Sequence, residues 1–99
     1  MAKLERDFQS DLIREIKELF PGCLVMKNDS GYIQGIPDWT VLYKNKWAVL
    51  EIKRKENANR QPNQDYYVNK CDDMSFSRFV YPENVEEVMN ELYNFFEGE

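Results

Sequence analysis

The stretch GIPDWTVLYKNKWAVLEIKRK, Gly35 to Lys55, contains two apolar runs, about Trp39 to Tyr43 and Trp47 to Lys53, around a short polar turn at Lys44-Asn45-Lys46. It reads as a β-hairpin. A hairpin built only to fill a core has no need of Asp38, Glu51 and Lys53 where the runs end. With a two-residue turn at Asn45-Lys46, Tyr43 faces Ala48, Thr40 faces Glu51 and Asp38 faces Lys53. Opposed residues share a face, and so do strand neighbours two apart. Asp38, Thr40, Glu51 and Lys53 therefore gather on one face at one end. Asp38 and Glu51 become diagonal neighbours roughly 7 Å apart at the backbone, within reach of a common cation. A loop of three residues would flip the parity and undo this.

Crowded carboxylates repel, and one takes up a proton unless a cation neutralises them. Oxygen-rich sites of this kind suit magnesium or manganese. The plainer alternative is a lysine between two acids in a cross-strand ion-pair cluster. The first helix bears on the choice. Apolar residues at 4, 8, 12, 13, 16, 19 and 20 give a helical period that stops at Pro21-Gly22. Glu5 falls on the same stripe as Phe8, Leu12 and Ile16, where a carboxylate is costly unless paired or bound to metal. A helix-dipole role in the first turn is the alternative.

Downstream, Leu24 to Lys27 reads as a short strand and Asn28-Asp29-Ser30-Gly31 as a loop. Glu56 to Arg60 reads as a polar loop. Pro62 suits the first position of a helix running to about Lys70, and Gln64 shares that helix's inner face with Tyr67, Val68 and Cys71. Ser75 to Tyr81 reads as a strand ended by Pro82, and Val85 to Phe96 as a last amphipathic helix. The expected order is αβββαβα in a single domain, 1–99.

Composition narrows the chemistry further. The sequence has no histidine, which removes histidine bases, triads and histidine-bound metals. Cys23 and Cys71 lack metal-ligand spacing and read as buried thiols. No apolar run is long enough for a bilayer, and MAKLERDFQS lacks a secretory pattern, so an intracellular, cytoplasmic protein is expected. The net charge of −5 is unevenly spread: residues 83–99 carry six glutamates and no base, whereas Lys44 to Arg60 holds six bases against two acids. A basic side around the hairpin and an acidic last helix are expected, with ordinary solvated surface as the alternative.

Pro37-Asp38 followed by Glu51-Ile52-Lys53 resembles the PD-(D/E)XK nuclease signature. Together with the glutamate of LERDFQSDLIREI, the GIPDWTVL and AVLEIKRK segments and the glutamine of RQPNQDYY, nearly the whole chain resembles a minimal VRR-NUC (virus-type replication-repair nuclease) domain. The resemblance implies an α/β, restriction-endonuclease-like fold with a central mixed sheet flanked by helices. It also implies a metal-dependent endodeoxyribonuclease without a nucleotide cofactor. Glu5, Asp38, Glu51 and the Ile52 carbonyl would serve one or two Mg²⁺ or Mn²⁺ ions. Lys53 would be the catalytic lysine and Gln64 the further motif residue. Lys44, Lys46, Arg54, Lys55 and Arg60 are candidate phosphate contacts. Free-standing small members are similar to Holliday junction resolvases, so the expected substrate is branched DNA, a four-way junction, cut by a homodimer, and a phage source fits. A less selective nickase or flap repair nuclease, and a non-catalytic DNA-binding module, are the alternatives.

Overall fold

Hydrophobic period decides each element of the computed structural model, which describes residues 4–98. Helix α1, Glu5–Leu19, buries Phe8, Leu12 and Ile16 at one-turn intervals. It ends where Phe20 caps it and Gly22, at φ 91°, turns the chain. Strands β1 (Leu24–Lys27), β2 (Trp39–Tyr43) and β3 (Lys46–Ile52) follow, then α2 (Gln64–Met74), β4 (Ser77–Val80) and α3 (Val85–Glu97). The order is the expected αβββαβα.

The four strands form one mixed sheet in the order β1-β2-β3-β4. The first two pairings are antiparallel and β3 with β4 is parallel. A parallel neighbour requires a crossover, which α2 provides. Helices cover both faces, and this is why β3 is buried continuously from Ala48 to Ile52 without the alternation of a half-exposed strand. On one face α1 and α3 pack Phe8, Leu12, Ile16, Val88, Leu92 and Phe96 against Val41, Ala48, Leu50 and Ile52. The intervening residues, Val49, Glu51 and Ser77, are buried on the other face, where α2 lies with Val68 and Cys71.

Several expected boundaries move. The hairpin turn is Lys44-Asn45, with Lys44 in the left-handed region at φ 57°, and Lys46 belongs to β3 opposite Tyr43. The ladder is displaced by two residues from the expected one: Thr40 pairs with Val49, not Glu51. An even displacement preserves the faces. Carried one place beyond Trp39 and Leu50, the observed register sets Asp38 against Glu51 in place of Lys53. Helix α2 begins at Gln64, not Pro62, because Asn63 adopts φ 72°, and it continues to Met74. Strand β4 starts at Ser77, since Ser75 caps α2 and donates its hydroxyl to the Trp47 carbonyl. No described helix is long and apolar enough to cross a membrane.

Candidate active site at the open end of the hairpin

Two loops meet beside the carboxylates. Gly35 is at φ 92°, and a Cβ there would lie 2.6 Å from the Asn63 Cβ and 2.8 Å from the Pro62 carbonyl oxygen. Only glycine permits that conformation together with that approach. The contact presses the segment entering β2 onto the start of α2. Asn28 fixes the same segment from β1. Its side-chain amide donates to the Pro37 carbonyl at 2.8 Å, its carbonyl oxygen accepts from the Thr40 hydroxyl at 2.9 Å, and its N–H donates to the Asp38 carbonyl at 2.7 Å. Asp38 is thereby held at the strand's start by three bonds from one residue.

Among the described residues Glu51 is the most deeply placed charged side chain, with 2% exposure, and its Oε1 has no hydrogen-bond partner there. Its carboxyl is pushed up to about 8, first by burial and then by the neighbouring Asp38 carboxylate through charge and a shared proton. Lys53 opposes this, with Nζ 3.9 Å from Glu51 Oε2, and Glu5 adds a smaller upward push. Unpartnered buried oxygens are rare because desolvation without a hydrogen bond is expensive. Here the cost falls on a carboxyl already crowded by another.

Lys53 is 12% exposed and donates to the Asn59 carbonyl at 3.2 Å, so the loop after β3 helps hold its ammonium beside Glu51. Phe79 pairs with Glu51 across the β3–β4 ladder, and the Arg60 guanidinium lies 3.8 Å above its ring. Arg60 also pairs with Asp65. Gln64, 8% exposed, accepts the Gln61 N–H at 2.8 Å through its side-chain oxygen. With Asp38, Gln34 and Gln61 it lines a pocket of about 270 Å³. Asp38 also has Lys27 Nζ at 3.9 Å.

The structure therefore gathers Asp38, Glu51 and Lys53, with Gln64 and Arg60 close by. Glu5 lies across the sheet on α1, half-buried, accepting from Gln9 at 3.2 Å. It reaches Glu51 through its field, and the described residues contain no cluster of three metal-ligating side chains. Ile52 turns its side chain into the α1/α3 core. Arg54 and Lys55 are exposed beyond β3 and form no ion pair among the described residues. Lys44 and Lys46 sit elsewhere. Lys44 Nζ is 2.6 Å from Glu97, and Lys46 Nζ donates to the Phe95 and Gly98 carbonyls at 2.7 and 2.8 Å. These two belong to the turn end, about 17 Å along the strand from Glu51. The acidic last helix thus ends against the hairpin's basic turn.

Sequence reading missed Asn28, Lys27 and Phe79. The Asn28-Asp29-Ser30-Gly31 run signalled a loop, and nothing local distinguished the asparagine that bonds across to β2. The fold and site together define a mixed α/β protein in which Glu51, the one strongly perturbed acid among the described residues, lies beside a second carboxylate and a lysine. No family model, no curated protein and no solved structure matches this chain.

Proposed function

We propose that the protein is a metal-dependent endodeoxyribonuclease of the PD-(D/E)XK type, VRR-NUC-like, that hydrolyses phosphodiester bonds in branched DNA. The observation that carries the reading is the buried, unpartnered Glu51 Oε1 beside Asp38. A crowded, desolvated acid pair favours a proton or a divalent cation, and a hard cation with oxygen ligands matches the donors present. Asp38 and Glu51 would hold it with the Ile52 carbonyl, and Glu5 would act on it through charge. When bound, Mg²⁺ or Mn²⁺ supplies Lewis acidity toward a phosphodiester and lowers the pKa of water.

The remaining residues act on the phosphate and its nucleophile. Lys53 is a cation on the acids' face, restrained by Glu51 and Asn59, and it offsets negative charge that develops on the phosphoryl oxygens. The Gln64 side-chain oxygen is taken by Gln61, which leaves its amide nitrogen to donate to a ligand in the pocket it shares with Asp38. Arg54 and Lys55 contact backbone phosphates without reading sequence. A two-fold homodimer presents two equivalent sites, as symmetric cutting of a four-way junction requires.

The test compares cleavage of a four-way junction, a flap, a duplex and a single strand in Mg²⁺, Mn²⁺ and EDTA. Metal-dependent cutting with the junction preferred is expected. Absence of cleavage on every substrate by folded protein refutes the reading.

A further inference from the structure

The pocket that Asp38 shares with α2 has a lining of mostly neutral polar groups. Ser30 and Gln34 from the loop before β2, Gln61 and Gln64 from the start of α2, and Asp38 enclose about 270 Å³. Three amides and a hydroxyl surround one carboxylate, and no lysine or arginine among the described residues lines it. The nearby cations turn elsewhere: Lys53 to Glu51 and the Asn59 carbonyl, Arg60 to Asp65 and the face of Phe79.

These groups have hydrogen-bonding capacity left over. Gln64, 8% exposed, accepts the Gln61 N–H through its side-chain oxygen at 2.8 Å, and its own N–H donates to the Gln61 carbonyl at 3.2 Å. Its amide nitrogen has no partner among the described residues, and neither have the side chains of Ser30, Gln34 and Gln61. A largely buried amide whose nitrogen opens on a cavity is set to donate to what enters. The opposite wall is preformed. Asp29 accepts the Gly31 N–H through its carboxylate at 2.8 Å and the Tyr32 N–H through its carbonyl at 3.1 Å, while Gly35 presses on Pro62 and Asn63. Tyr32 is carried on this loop between the lining residues Ser30 and Gln34, with 86% of its surface exposed.

We infer that this pocket takes one unpaired nucleobase beside the scissile phosphate, with the Tyr32 ring as the stacking surface at its mouth, a deepening that rests on the nuclease reading. The lining favours a base over a phosphate, because a carboxylate repels an anion whereas amides pair with the donor and acceptor edges of bases. The volume lies below the range of about 300–1,000 Å³ usual for drug-sized ligands, so it suits one ring system and not a base pair. A paired base is stacked and has its pairing edge occupied, so entry requires a nucleotide already outside the duplex. The substrate class is therefore branched DNA with an unpaired nucleotide at the branch point.

The experiment measures fluorescence anisotropy of the full chain in Ca²⁺ with a fork bearing one single-stranded arm, the same fork with an abasic site stepped through the positions beside the branch, and a blunt duplex. One abasic position should weaken wild-type binding about tenfold, the size of a single stacked base. Tyr32→Ala should weaken binding to the intact fork about tenfold but lose little more on that abasic fork, because ring and base act on each other. Gln34→Ala should show a smaller loss with the same non-additivity. Tyr93→Ala, on α3 across the sheet, should match wild type on every substrate. Abasic forks that all bind like the intact one would overturn the pocket. So would Tyr32→Ala binding as wild type does, or losing as much on the abasic fork and the duplex as on the intact fork. If wild type cuts branched DNA in Mg²⁺ with no dependence on any abasic position, the pocket fails and the nuclease reading stands. If binding depends on the base through Tyr32 yet no substrate is cut, the pocket stands and the nuclease reading fails. Folded protein that binds no fork contradicts both.

Discussion

The two ends of the β2–β3 hairpin treat charge in opposite ways. At the turn, Lys44 meets Glu97 and Lys46 meets two carbonyls at the C-terminal end of α3, where cations are favoured by the exposed carbonyl dipoles. Each of these two cations has hydrogen-bond acceptors to meet it. At the open end, Asp38 and Glu51 crowd each other, one oxygen is unpartnered, and the two nearby lysines stand off at 3.9 Å, Lys53 from Glu51 and Lys27 from Asp38. The same two strands thus carry a satisfied end and a frustrated end. Stability accounts for the first, whereas the second costs stability, which marks it as the candidate binding site.

The sharpest break of this contrast is chemical. Asp38→Ala or Glu51→Ala should abolish DNA cleavage, while thermal unfolding shows the fold kept, because each removes a ligand and also relieves repulsion. Full activity in either variant would remove the frustrated end from function. Next in size, Lys53→Ala should slow single-turnover cleavage by a factor of about 10² or more. Junction affinity in Ca²⁺ should change little. Affinity falling in step with rate would make Lys53 a phosphate anchor.

Stability should separate the ends as well. The Glu51 carboxyl, raised from 4.5 to about 8 in the fold, binds its proton more tightly folded than unfolded. Below the unfolded value both states are protonated and there is no penalty. As pH rises from about 4.5 to about 8 the unfolded state ionises first, so metal-free protein should lose up to a few kcal/mol across that window. Glu51→Gln, neutral at every pH, should flatten the loss and be more stable than wild type at pH 8, as urea unfolding at a series of pH values would reveal. The smallest effect belongs to the satisfied end. Lys46→Met should cost about 1 kcal/mol by removing two charge-assisted hydrogen bonds, with no change in DNA affinity. A large drop in affinity would restore the turn to the DNA-binding surface.

Much of this contrast was legible in the sequence, for reasons that differ by residue. The helical period of Phe8, Leu12 and Ile16 specified α1, and the position of Gln64 on the inner face survived an error of two residues in the helix start. Asp38 and Glu51 were placed on one face because strand parity is unchanged by a shift of two. The shift itself was hidden, since it depends on Lys44 adopting a left-handed conformation for which asparagine or glycine is the usual signal. The engagement of Lys44 and Lys46 by α3 was hidden too, being a contact across some fifty positions, as was the packing of Gly35 on Pro62 and Asn63.

An acid pair held ready for a divalent cation should bind one more tightly as its carboxyls ionise. Isothermal calorimetry of Mn²⁺ binding to wild type and to Glu51→Gln, at pH 6 and pH 8 in buffers of different ionisation enthalpy, tests it most directly. Binding to wild type should tighten from pH 6 to pH 8, with proton release at the lower pH, and should be lost in Glu51→Gln. Equal Mn²⁺ affinity in the two proteins, or binding to wild type that is indifferent to pH, would contradict it.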